Sequence, residues 1–125
     1  MTENKKILLI EDDVFMVGLL VHELQEAGFE VVTAKTGVEG IKKFPEVKPD
    51  LILLDILLPD QNGFDTLRTI RRQPGGPGTK VIVLSNLAEW SDVEEAKRLG
   101  ALDYLVKTNF SLEEIVEKIQ SALGR

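Results

Sequence analysis

The chain has 125 residues, of which 43% are hydrophobic and 29% charged, the balance of an ordinary globular protein with a single core. A formal net charge of -6 argues against a surface for non-specific contact with nucleic acid or anionic membrane. The absence of cysteine removes disulfides, thiolate metal sites and cysteine nucleophiles. No apolar run approaches the ~20 residues needed to cross a bilayer. The opening segment, Met1 to Lys6, has no signal-peptide layout, so the expected compartment is the cytoplasm.

In chain order, Ile7–Ile10 is a short apolar run, the form of a buried strand, and it discharges into Glu11 and Asp12. Val17, Leu20, Val21, Leu24 and Ala27 then recur at helical spacing, with Asp13 as a cap in front and Gly28 as the stop. The lone His22 lies off that apolar stripe and reads as a surface residue. A second strand is expected at Val31–Ala34, followed by a short helix marked by Val38, Ile41 and Phe44, opened by Thr36 with Glu39 three residues on. Leu51–Leu54 forms a third strand and runs into Asp55. Asn62 caps a third helix carrying Phe64, Leu67 and Ile70, and turn chemistry accounts for Asp60 and Asp65.

The stretch Pro74-Gly75-Gly76-Pro77-Gly78 reads as a surface loop, because the alternation of strand and helix continues across it. Val81–Leu84 is the fourth strand and runs into Ser85. Val93, Ala96 and Leu99 mark a fourth helix, with Ser91 and Glu94 as a capping box, Gly100 as a stop and Trp90 half-packed at its start. Tyr104–Val106 is the fifth strand and runs into Lys107. Leu112, Ile115, Val116, Ile119 and Leu123 mark the fifth helix, with a Ser111–Glu114 capping box and Phe110 as a staple onto Ile115. The Arg71-Arg72 and Lys97-Arg98 pairs close helices, where cations complement the macrodipole, and ordinary helix ends explain them better than a binding patch would.

Strict alternation of this kind implies a parallel sheet covered by helices on both faces, over a single domain spanning 1–125. The expected fold is a flavodoxin-like (βα)5 doubly wound sheet of order 2-1-3-4-5, because the acidic first and third strands should be neighbours at the switch point. Its carboxyl edge would present Glu11, Asp12, Asp55, Ser85 and Lys107. Clustered carboxylates raise the pKa of at least one member unless a cation compensates them, and a hard divalent ion with oxygen ligands is the natural compensation. A carboxylate beside such a cation, a hydroxyl and an ammonium suits phosphoryl transfer, which needs in-line positioning and charge neutralisation. In that reading Asp55 is the nucleophile, Ser85 donates to one phosphoryl oxygen and Lys107 pairs with another.

Together, Ile-Leu-Leu-Ile-Glu-Asp-Asp, Leu-Ile-Leu-Leu-Asp-Ile-Leu-Leu-Pro with Asn-Gly following, Val-Leu-Ser, and Gly-Ala-Leu-Asp-Tyr-Leu-Val-Lys resemble the receiver domain of two-component response regulators, from about residue 5 to residue 123. The resemblance implies that Asp55 accepts a phosphoryl group from a histidine kinase or histidine phosphotransfer protein. It implies magnesium, with manganese as an alternative, held by Asp12 directly, Glu11 through water, Asp55 and the backbone carbonyl of Leu57. Ser85 and Tyr104 would be the switch pair, repacking the face of the fourth helix, fifth strand and fifth helix towards an output domain or target protein. A phosphorylation-dependent homodimer through the same face is compatible with it; direct nucleic-acid or membrane contact is not expected.

Three features depart from the common pattern. Asn86 stands where a small residue usually follows the switch hydroxyl. Thr108 follows Lys107 in place of a proline preceded by a cis bond, leaving either a trans bond or a strained cis one. Leu57 and Leu87 are apolar and cannot orient an attacking water, so slow self-dephosphorylation is expected. Other readings are weaker. A haloacid-dehalogenase-type phosphohydrolase needs a second aspartate where Leu57 stands. A flavin or nucleotide module needs a Gly-rich loop where Glu11-Asp12-Asp13 stand. A docking-only receiver would not keep all five site positions filled. The expectation is therefore a signalling switch with autocatalytic phosphotransfer, not an enzyme turning over an external metabolite.

Overall fold

The computed structural model describes residues 4–87 and 89–124; the first three residues of the opening segment, Ala88 and Arg125 lie outside them. Five parallel strands form one sheet in the order β2-β1-β3-β4-β5, as the acidic strand ends require. The strands are β1 (Lys6–Ile10), β2 (Glu30–Ala34), β3 (Leu51–Leu54), β4 (Lys80–Ser85) and β5 (Asp103–Val106). Between and after them run α1 (Val14–Glu26), α2 (Gly37–Val47), α3 (Gly63–Arg71), α4 (Trp90–Arg98) and α5 (Leu112–Ala122), with a short 3-10 turn at Lys107–Asn109.

Side chains alternate across a strand, so each apolar run feeds two cores. Ile7, Leu9, Leu51, Leu53, Ile82 and Leu84 pack with Leu20 and Leu24 of α1 and Ile115 and Ile119 of α5. Leu8, Ile10, Ile52, Leu54, Val81 and Val83 face the other way, onto Phe44 of α2, Phe64, Leu67 and Ile70 of α3 and Ala96 of α4. β1 and β3 pair in register from Ile7↔Leu51 to Ile10↔Leu54, and the pairing of β3 with β4 ends at Leu54↔Val83. That register brings the residues following Ile10 and Leu54 side by side at one edge.

Caps fix where most helices begin and end. Asp13 accepts from the Phe15 and Met16 amides, at 3.0 and 3.3 Å. Thr36 caps α2 through the Glu39 amide, and Asn62 caps α3 through the Phe64 amide. Ser111 and Glu114 form the expected capping box, and Phe110 packs on the core cluster that contains Ile115. Gly28 and Gly100 stop their helices at φ 91° and 82°, a region glycine enters without steric penalty.

Two expectations fail at α4. Ser91 is not its cap: the helix begins at Trp90, with Glu89 as an N-cap that makes no side-chain bond. The Asp92 and Val93 amides already bond to the Glu89 carbonyl, so the first turn is closed before Ser91 could initiate it. Trp90 is 76% exposed and not half-packed, because the buried position of α4 is Ala96, farther along the helix.

Asp60 does more than turn a loop. It crosses to the start of α2, where its carboxylate accepts from the Gly37 amide at 2.8 Å and the Val38 amide at 3.0 Å. Burial pushes this carboxyl up, but the amides of Val38, Gly37, Asp60 and Gln61 outweigh that and hold its pKa below the usual range. Asp60→Ala should lower the unfolding free energy by about 1 kcal/mol at neutral pH, the usual effect of losing a cap. Because the folded-state pKa is the lower one, this contribution is present above the unfolded value near ~3.9 and lost as pH falls through the folded value. Urea unfolding of both proteins at neutral pH and near pH ~3 should show the difference shrinking on the acid side.

Candidate functional site

The strand ends bring Glu11, Asp12 and Asp55 together, each offering a carboxylate oxygen within 4.8 Å of the others. Glu11 is 1% and Asp55 5% exposed, while Asp12 is open to solvent. Lys107, the first residue of the 3-10 turn after β5, reaches across the edge. Its Nζ lies 2.5 Å from Glu11 Oε1 and donates to Asp55 Oδ2 at 3.0 Å. The other Asp55 oxygen accepts from the Leu57 amide at 3.0 Å, and Glu11 Oε2 accepts from the Asp13 amide at 3.1 Å. The peptide joining Lys107 to Thr108 is trans, which resolves the open alternative there.

Three carboxylates against one ammonium leave excess negative charge in oxygen ligands, a donor set that suits a hard divalent cation. Burial pushes the Glu11 carboxyl up to about 7; the Lys107 hydrogen bond opposes this, and the charge of Asp55 adds to it. Burial works against the Lys107 ammonium, but its bonds to Glu11 and Asp55 prevail and hold its pKa above the ordinary lysine value. The site therefore keeps its cation and strains one of its acids.

Ser85, fully buried at the end of β4, and Tyr104, half-buried on β5, both bond to the backbone of Leu87, a link that leaves no pattern in the sequence. The Leu87 amide donates to Ser85 Oγ at 3.3 Å, and the Leu87 carbonyl accepts from the Tyr104 hydroxyl at 2.8 Å. Burial foremost, then the charge of Asp92, pushes the Tyr104 hydroxyl up to about 12, so it stays a donor at any ordinary pH. The Leu57 side chain is 53% exposed and Asn86 is exposed, both beside the pocket residues in the chain. His22 is on the surface, 4.0 Å from Glu26.

Gly63 explains the Asn-Gly pair after the third strand. A Cβ there would stand 2.4 Å from the Asp55 carbonyl oxygen and 2.6 Å from Ile56 Cα. The start of α3 thus lies directly on the backbone that carries Asp55.

A doubly wound parallel sheet with a lysine-bridged acidic pocket at its carboxyl edge defines a flavodoxin-like domain whose strand-end acidic cluster could hold a cation. The family model described as the response regulator receiver domain matches residues 7–120. The chain is 35% identical over 118 residues to the chemotaxis protein CheY of Listeria monocytogenes, covering 94% of this chain and 97% of that protein. It is 36% identical over 122 residues to the alkaline phosphatase synthesis transcriptional regulatory protein PhoP of Bacillus subtilis, covering 98% of this chain but 50% of that one. Among solved structures, a CheY-like receiver domain protein from Methanospirillum hungatei superposes with a TM-score of 0.89 at 29% identity, covering 98% of this chain and 95% of the other. The chain belongs to the response regulator receiver family, signalling domains whose general role is phosphorylation-dependent.

Two predictions follow from the geometry. Gly63→Ala should displace the Asp55 backbone and lower the melting temperature, since the clash is with main chain that cannot rotate away; thermal unfolding checks it. Glu11 contributes a pH dependence of its own to the cation-free protein. Its folded pKa of about 7 lies above the ordinary value of 4.5, so between the two the folded state holds a proton that the unfolded state has lost. Stability in a chelator should fall as pH rises through that window, and Glu11→Gln should flatten the slope. A stability that climbs across the window would show Glu11 ionised throughout.

Proposed function

We propose that this chain, as a single receiver domain over 1–125, accepts a phosphoryl group on Asp55 from a histidine kinase or histidine phosphotransfer protein. The observation that carries the reading is the Asp55 carboxylate, 5% exposed, anchored by Lys107 on one oxygen and the Leu57 amide on the other, inside an acidic cluster. An Asp55 oxygen attacks phosphorus in line, the P–N bond to the donor imidazole breaks with its electron pair leaving on nitrogen, and an acyl phosphate results. Lys107 remains protonated and pairs with a phosphoryl oxygen, while Ser85 Oγ donates to another.

Glu11, Asp12, Asp55 and the Leu57 carbonyl would hold magnesium, or manganese in its place, which neutralises phosphoryl charge. Movement of Ser85 towards the phosphoryl group pulls on Leu87, and through Leu87 on the Tyr104 hydroxyl. That repacks the α4-β5-α5 face, which meets an output domain or target protein and supports a phosphorylation-dependent homodimer. The protein works in the cytoplasm, without direct contact with nucleic acid or membrane, as a signalling switch whose only chemistry is its own phosphorylation and slow dephosphorylation.

With acetyl phosphate and magnesium, intact mass should rise by one phosphoryl group, and the rise should vanish in Asp55→Asn or on chelation. Trp90 fluorescence should change in parallel, and Tyr104→Phe should keep the mass gain while weakening the fluorescence change. An absent mass gain in the wild-type protein overturns the reading. Leu57 and Leu87 present only aliphatic side chains to an attacking water, so the acyl phosphate should decay over minutes or longer. A half-life of seconds would contradict that assignment.

A further inference from the structure

The Pro74–Gly78 loop and Arg71 play no part in the phosphoryl site but share a hydrogen-bond network of their own. Arg71, near the end of α3, threads its guanidinium under this loop at the amino-terminal edge of the sheet, the edge opposite Asp55. Its Nη1 donates to the Gly76 carbonyl at 2.8 Å and the Thr79 carbonyl at 2.5 Å. Its Nε donates to the Leu99 carbonyl at 3.0 Å and its Nη2 to the Gly100 carbonyl at 3.2 Å. Carbonyl oxygens satisfy the N–H groups but do not cancel the charge. Among the described residues Arg71 has no carboxylate partner, and burial alone pushes its pKa down.

Arg71 also lines a cavity of about 480 Å³, together with Lys80, Arg98, Pro77, Leu99 and Leu102. No acidic residue lines it. Lys80 Nζ donates to the Ala122 carbonyl at 2.7 Å and makes no ion pair among the described residues. Arg98 has one counter-charge, Glu95 at 2.7 Å, which Arg68 shares at 2.6 Å. In a chain of net charge -6, three cations line one hollow that also carries apolar residues, and Arg71 and Lys80 make no ion pair among the described residues. Leu102, one of the lining residues, is 55% exposed.

We propose that this cavity binds an organic phosphate of nucleoside-monophosphate size, its phosphate on Lys80, Arg98 and the spare Arg71 Nη2 hydrogen, its planar body on Pro77, Leu99 and Leu102. The cations alone would accept any anion; the apolar lining selects one that carries a flat hydrophobic body. The volume is within the range of small-molecule sites, and the site is independent of Asp55 chemistry.

The test is calorimetric titration of the full chain with adenosine monophosphate, adenosine and inorganic phosphate, at physiological ionic strength and without magnesium. The Asp55→Asn background removes the other phosphate-attracting centre. Adenosine monophosphate should bind at least about tenfold more tightly than either fragment, and Lys80→Gln with Arg98→Gln should weaken it about tenfold or more. Arg98→Gln alone, which keeps the Lys80 bond to Ala122, should lose part of that affinity and unfold normally. No heat with adenosine monophosphate, affinity equal to that of inorganic phosphate, or indifference to the double substitution overturns the proposal. Binding confined to polyglutamate or to phosphatidylserine vesicles overturns it as well, since the hollow would then be part of a broad cationic surface.

Discussion

The Lys107 ammonium lies between two carboxylates that water barely reaches, 2.5 Å from Glu11 and 3.0 Å from Asp55. Placing either acid in that position without a cation would cost several kcal/mol, so the three strand ends have to converge for any of them to be tolerable. The sheet supplies the convergence. β1 and β3 are adjacent and in register, so Glu11 and Asp55 leave the sheet side by side, and β5 ends one strand beyond β4 with its lysine long enough to span the gap. Two apolar cores lock that register from opposite faces, and a one-residue slip of β3 would exchange the residues assigned to each.

The proposed phosphoacceptor role asks for an acid that is rigid but not satisfied, and the surroundings of Asp55 suit that proposal. Its two oxygens have one donor each, Lys107 and the Leu57 amide, while Glu11 and Asp12 contribute repulsion from the same side. Below it Gly63 lets α3 press against the Asp55 backbone. Beside it Leu87 ties a buried hydroxyl to a half-buried phenol through a single residue's amide and carbonyl. Excess charge, a tight backbone seat and a two-ended tether meet within one edge of the sheet.

The strands, their order and the identity of the acidic cluster were legible because each follows from local pattern. Apolar runs of four or five residues stop abruptly at a charged or hydroxylic residue, and the acidic pair of ends dictates which strands adjoin. Most caps were legible too, since Asp13, Thr36, Asn62 and Ser111 bond amides two or three residues away. What the pattern hid depends on partners far along the chain. Asp60 reaches residues 22 and 23 positions away, and Arg71 reaches carbonyls 28 and 29 positions away. Neither bond leaves a periodicity to read. At α4 the local signal misled, because Ser-x-x-Glu is a valid capping pattern that the chain bypasses by turning two residues earlier.

The strand order also leaves the sheet with two unpaired borders, β2 and β5, each a row of main-chain groups that another chain could extend. Both are brief, five residues and four. Charge guards each one: Glu30 and Lys35 bracket β2, while Asp103 opens β5 and meets Lys118 at 3.6 Å. A neighbour adding a strand there would gain few ladder bonds and would have to strip water from these ions. Short length and flanking charge thereby discourage open-ended strand addition at both borders.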